Sequence, residues 1–176
     1  MRGSTGIVAC LTSLLYAALS FAADPPIAYQ SDLYGMVGEW SGELTYLDYG
    51  SDTVRVTVEA QLSADTAGGV LITRFIYDEK AGDQMIRWGE WTVSPDGKRL
   101  NMNEEKSWFV TGKTITNNGT TLVFQAPGTD NNKPAQITHV LWIGHQDSLV
   151  FSKQVLYRGG GREFLRHEFR LGRVKE

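Results

Sequence analysis

The chain has 176 residues, with 17 basic and 20 acidic side chains, three histidines and one cysteine. Its length points to one domain, and its formal net charge of −3 disfavours nucleic acid or an anionic membrane surface as the main partner. One cysteine leaves no intrachain disulfide, thiolate zinc site or iron–sulfur cluster.

In chain order, the first element is a targeting segment. Met1-Arg2 supplies a positive start, Ile7 to Leu19 is mostly apolar, and Ser20-Phe21-Ala22-Ala23 supplies small residues for cleavage. This is the anatomy of a secretory signal peptide, which assigns residues 1–23 to the signal and the mature protein to the periplasm or the medium. The apolar run is too short for a transmembrane span, which needs about 20 residues. Ile7-Val8-Ala9-Cys10 resembles a lipobox, but the apolar region follows Cys10 where a lipoprotein signal would precede it. Cleavage after Ala22 or Ala23 would remove the only cysteine, one basic residue and no acidic one.

Residues 24–37 form a short segment before the first strand. Asp32 to Val37 is predicted as a helical turn, with Ser31 as its cap and Leu33, Met36 and Val37 facing inward, so that it plugs one end of the fold. Residues 38–176 then divide into strand-length runs separated by turn signals: Trp40–Leu47, Thr53–Leu62, Val70–Tyr77, Met85–Val93, Arg99–Asn103, Trp108–Thr116, Thr121–Gln125, Gln136–Ile143, Leu149–Tyr157 and Glu163–Val174. Asn118-Gly119 and Pro95-Asp96-Gly97 read as tight turns, Glu104-Glu105-Lys106 as a solvated hairpin end, and Pro127 to Pro134 as a loop. About ten runs at this spacing, joined by short connections, predict an all-β fold: a single antiparallel up-and-down β-barrel with a helical plug.

Alternation sorts the faces. Val54, Val56, Val58, Ala60 and Leu62 share one side of the second strand, opposed by Arg55, Thr57, Glu59 and Gln61. In the first strand Trp40, Gly42, Leu44 and Tyr46 go together. In the last, Leu165, His167, Phe169, Leu171 and Arg173 form the inward set against Arg166, Glu168 and Arg170. For Met85–Val93, parity leaves open whether Ile86 and Trp88 or Met85, Arg87 and Trp91 face inward.

The opening Gly38-Glu39-Trp40-Ser41-Gly42 and the closing Phe169-Arg170-Leu171-Gly172-Arg173 resemble the ends of lipocalins and their calycin relatives. The resemblance implies that Arg173 packs across Trp40 and closes the barrel, with Gly38 at the strand opening. Fatty-acid-binding barrels carry a helical lid after the first strand, which the short Gly50-Ser51-Asp52 link leaves no room for. Nitrobindin-type haem barrels begin Gly-x-Trp-x-Gly and are similar at Gly38, Trp40 and Gly42, but this chain continues with Leu44 and Tyr46. That branch implies His167 as a haem ligand. The run from Trp40 to Tyr49 also resembles bacterial secreted lipocalin-like proteins of undefined activity.

These readings converge on a small apolar or amphipathic ligand held inside the barrel, with Tyr46, His139, His167 and Phe169 as inward candidates. Arg74 is a further candidate if it faces inward and meets a ligand carboxylate. If instead Thr73, Phe75 and Tyr77 point in, Arg74 faces solvent. Two alternatives stand: haem ligated by His167, and a filled barrel that meets a partner protein through its surface. Three scattered histidines form no zinc motif, and no nucleophile–base or acid–base pair is apparent, so the expectation is a binder that is not an enzyme.

Overall fold

The computed structural model describes residues 25–79, 82–103, 107–145 and 147–175. The segment read as a signal peptide, with Cys10, and the Glu104-Glu105-Lys106 hairpin end lie outside the described residues. A 3₁₀ helix, Gln30–Met36, is followed by ten strands: β1 Gly38–Leu47, β2 Arg55–Ala67, β3 Val70–Asp78, β4 Gln84–Val93, β5 Arg99–Met102, β6 Ser107–Thr116, β7 Gly119–Asp130, β8 Lys133–Gly144, β9 Ser148–Tyr157 and β10 Phe164–Arg173. Each pairs antiparallel with its neighbours in sequence, and β1 pairs with β10, so the sheet is a closed up-and-down barrel.

The closing seam has the register that parity predicts: Trp40 lies opposite Arg173 and Tyr46 opposite His167. The Arg173 guanidinium sits 4.2 Å from the Trp40 ring centroid. It also donates to the carbonyls of Val37 at 2.6 Å and Gly35 at 3.1 Å, and to Asp147 at 3.0 Å. Trp40 is 1% exposed and its indole N–H donates to Met36 O at 2.7 Å. Gly38 adopts φ 125°, and a Cβ there would collide with the Arg173 guanidinium. A cation stacked on an indole is worth about 0.5–2 kcal/mol. Here it also fastens the helix to the last strand.

The helix starts at Gln30, earlier than the sequence pattern places it, and Ser31 is not its cap. The Asp32 carboxylate accepts from Tyr29 N–H at 2.7 Å and also holds Lys113 of β6 at 2.7 Å. Gln30 exchanges hydrogen bonds with Trp91 O and Val93 N of β4. Leu33 and Met36 are fully buried, and Val37 is half-buried at the helix end. Together with Trp40, Leu62, Leu71, Leu100, Leu122 and Leu149 they fill the end of the barrel beneath the helix. That half is packed solid, as a core dominated by leucine and tryptophan should be.

Three local expectations are corrected. Pro127 to Pro134 is not a loop: β7 and β8 run through it with Pro127 opposite Gln136 and Thr129 opposite Pro134. Beyond Gln125, β7 has no β6 partner, so Pro127 sits where one side of the strand needs no ladder donor. Two-residue turns with both residues at positive φ are Asn131-Asn132, at 45° and 60°, and Gly68-Gly69, at 58° and 85°; in the β6–β7 turn only Gly119 has positive φ. Val54 precedes β2 and is 48% exposed.

A fourth correction matters most for function. A β-bulge between Leu165 and His167 breaks the alternation of β10. Arg166 therefore turns inward and is fully buried, while Leu165, opposite Gln154, leaves the inner face.

Trp40→Ala is expected to cost about 3–5 kcal/mol, as expected for a buried aromatic truncated to alanine. Urea unfolding followed by tryptophan fluorescence and circular dichroism measures it.

Candidate ligand-binding site

Above the packed half the barrel is hollow. A cavity of about 800 Å³ opens at the end opposite the helix. A filled interior, one of the two alternatives to a carrier, therefore describes only the helix end. The cavity size falls within the range of small-molecule sites, about 300–1,000 Å³.

Its walls come from the inward positions of the alternating strands. Leu44 and Tyr46 of β1, Phe75 and Tyr77 of β3, Trp91 of β4, Phe151 of β9 and Phe169 of β10 all line it. The aromatic rings pack against one another: Phe75 and Phe169 centroids are 4.9 Å apart, and Trp91 and Phe151 meet edge to face at 5.3 Å. Such contacts fix ring positions and present flat apolar surfaces to an occupant.

Of the residues picked from the sequence, Tyr46, His139, His167 and Phe169 all line this one cavity. Arg74 does not. Thr73, Phe75 and Tyr77 take the inner face of β3, and Arg74 lies outside with its guanidinium 5.6 Å from the exposed Trp88 ring. The open parity of β4 resolves with it: Arg87 and Trp91 lie opposite Phe75 and Leu71, so the odd-numbered residues face in.

The two histidines differ in environment. His139 is 7% exposed, its ring stacked on Phe151 at 5.1 Å and edge-on to Trp108 at 4.5 Å. Its Nδ1 lies 3.2 Å from Ser152 O. Since a carbonyl only accepts, Nδ1 carries the proton. His167 makes no hydrogen bond among the described residues, Tyr46 included, and it lines the cavity. Burial, reinforced by the positive charge of Lys153, lowers its pKa to about 4. It is therefore an uncharged imidazole at neutral pH.

One side of the mouth is held by a buried ionic cluster that sequence parity did not reveal. Asp130, at the tip of β7, accepts from Lys153 at 2.7 Å, Arg166 at 2.5 Å and Tyr157 OH at 3.1 Å. Arg166 also donates to Asp52 at 2.8 Å and to Leu47 O at 3.4 Å, and its guanidinium lies between the Tyr49 and Phe164 rings. Asn131 adds bonds to Asp52 and Tyr49 O. The β1–β2 loop is thus latched onto the β7–β8 hairpin. Burial pushes the Asp130 carboxyl up, but Lys153 and Arg166 outweigh it and hold it below the usual range. Burial lowers the Arg166 pKa, and the Asp52 and Asp130 carboxylates more than restore it. Two features concealed this cluster: the bulge that turns Arg166 inward, and the placement of Asp130 in a presumed loop.

No family model matches the chain, and no curated protein matches it. The closed ten-stranded antiparallel barrel is consistent with a lipocalin-like fold. Among the described residues no helix is long and apolar enough to cross a membrane, and no group of three or more His, Cys, Asp or Glu side chains is placed to hold a metal ion.

Asp130→Ala would leave Lys153 and Arg166 without their shared counter-charge. It is expected to cost about 3–5 kcal/mol in denaturant unfolding, whereas Asp52→Ala, on the more exposed side of Arg166, costs less. His167 gives a pH signature. Its pKa falls from 6.5 to about 4 on folding, so the unfolded chain binds the extra proton. The neutral ring's contribution is complete above pH 6.5, declines as the pH falls, and is gone below 4. The loss is at most about 3 kcal/mol, because cavity water solvates part of the charge. Stability measured from pH 7 to 4 should fall less steeply in His167→Gln, and the His167 imidazole resonance should titrate near pH 4.

Proposed function

We propose that the protein is an exported, lipocalin-like carrier that binds a small apolar or amphipathic molecule inside its barrel and does not transform it. The cavity carries this reading: about 800 Å³, floored by aromatic rings, plugged at one end and open at the other. An interior of this kind gains by replacing poorly hydrogen-bonded water with apolar surface, at roughly 25 cal/mol per Å² buried. The uncharged His167 and the hydroxyls of Tyr46 and Tyr77 would orient the occupant. Export rests on the signal-like residues 1–23, and the lipocalin-like assignment on the Gly38–Trp40 opening and its Arg173 partner.

An environment-sensitive apolar dye, Nile red, tests the reading. Saturable binding at one dye per chain is expected, with fluorescence shifted to the blue. Leu44→Trp, which grows a side chain from the cavity wall, should weaken binding at least about tenfold while the barrel still melts cooperatively. Absence of saturable binding, or binding indifferent to Leu44→Trp, overturns the proposal.

Haem is the second reading, favoured by one observation: His167 lines the cavity as a neutral ring with no hydrogen bond among the described residues. Haem would be held there through an unprotonated ring nitrogen of His167, and its iron would supply redox or gas-binding chemistry. Hemin added to the protein should then give a shifted Soret band that His167→Ala abolishes. An unchanged band in that variant removes His167 as the ligand.

A further inference from the structure

Among the described residues, the cations facing the barrel interior and its ends follow a rule with one exception. Lys113 is paired with Asp32 at 2.7 Å, Lys153 with Asp130 at 2.7 Å, Arg166 with Asp130 and Asp52, and Arg173 with Asp147 at 3.0 Å. Arg87 points inward from β4, directly opposite the buried Phe75, and lines the cavity near its mouth. No carboxylate among the described residues lies within ion-pair distance of it. Arg87 is exposed, the state in which a long cationic side chain keeps its charged head in water.

Resting on the carrier reading, we propose that the cavity is selective for an amphipathic monoanion. Its carboxylate head is held at the mouth by Arg87, and its apolar body lies between Phe75, Phe151 and Phe169. A carboxylate matches the planar fork of a guanidinium and takes two parallel hydrogen bonds from it. The other inward cation among the described residues of the cavity wall, Arg166, already serves Asp130, Asp52 and Leu47 O, so it is not available to a ligand head. A dianion is disfavoured, because the described residues of the lining hold one uncommitted cation and also carry Asp48 and Glu79. A cationic head finds less. Asp48 is engaged by the Gly50 N–H at 3.1 Å, and Glu79 sits exposed at the start of the β3–β4 turn.

The test displaces bound Nile red with decanoate, decanol and decyltrimethylammonium at pH 8, using the wild type, Arg87→Gln and Arg87→Lys. Decanoate should bind about fivefold tighter than decanol in the wild type, the scale expected of a partly exposed ion pair. The preference should shrink with added salt, persist in part in Arg87→Lys and vanish in Arg87→Gln, while the decanol affinity stays the same. Arg87 is exposed, so unchanged melting temperatures are expected for both variants. Three outcomes overturn the proposal while leaving the carrier reading intact: equal affinities in the wild type, a preference that survives Arg87→Gln, or decyltrimethylammonium as the tightest ligand. Failure of Nile red to bind saturably overturns both.

Discussion

An interior exists in this protein because β10 finds β1. Until those two strands pair, the sheet has two open edges and no inside. The stacking of Arg173 on Trp40 fixes that pairing at one register, since a slip by one residue would part the two side chains and turn the inner-face residues of one of the two strands outward. The same guanidinium holds the carbonyls of Gly35 and Val37, so the interaction that closes the wall also seats the helix in its end. Hollow and floor thus depend on one side chain, and the cavity inherits its position from it.

Above that floor, the barrel handles polarity in two ways. On one side of the mouth, charge is taken fully out of water and matched: Asp130, Lys153 and Arg166 satisfy one another and fasten two loops together. Buried ionic groups of this kind seldom add much net stability, but removing one partner is costly, and the geometry they fix is specific. Across the cavity, on β3 and β4, the wall is aromatic and carries the Tyr77 hydroxyl and Arg87, groups that make no hydrogen bond to another described side chain and so face solvent or an occupant. The first side is rigid by construction; the second is receptive.

Sequence parity was a good guide wherever a strand stayed regular. Trp40 against Arg173, Tyr46 against His167, and the inward Val56, Val58, Ala60 and Leu62 all follow from counting by twos. Counting failed where a strand gains a residue: the bulge in β10 moved Arg166 from the predicted outer face to the centre of the ionic cluster, and a single sequence carries no marker for it. Prolines misled differently. Pro127 and Pro134 suggest a loop, yet β7 overhangs β6 there, so proline costs no hydrogen bond and Asp130 is carried into the mouth. In β3 and β4 both faces contain apolar residues, so Arg74 and Arg87 were indistinguishable until pairing set one outside and the other within.

The helix before β1 touches distant parts of the chain: β4 through Gln30, β6 through Asp32, and β10 through the Arg173 bonds to Gly35 and Val37. It precedes every strand of the barrel in the chain, yet its seat is complete only when β1 and β10 pair. The stopper is therefore synthesised before the strands that seat it. The pairing it awaits joins the first and last described strands, the strand contact with the largest loop-closure entropy to overcome. Until then the leucine-rich base remains wet, and a newly made chain exposes there the surface on which a chaperone or an aggregate would act.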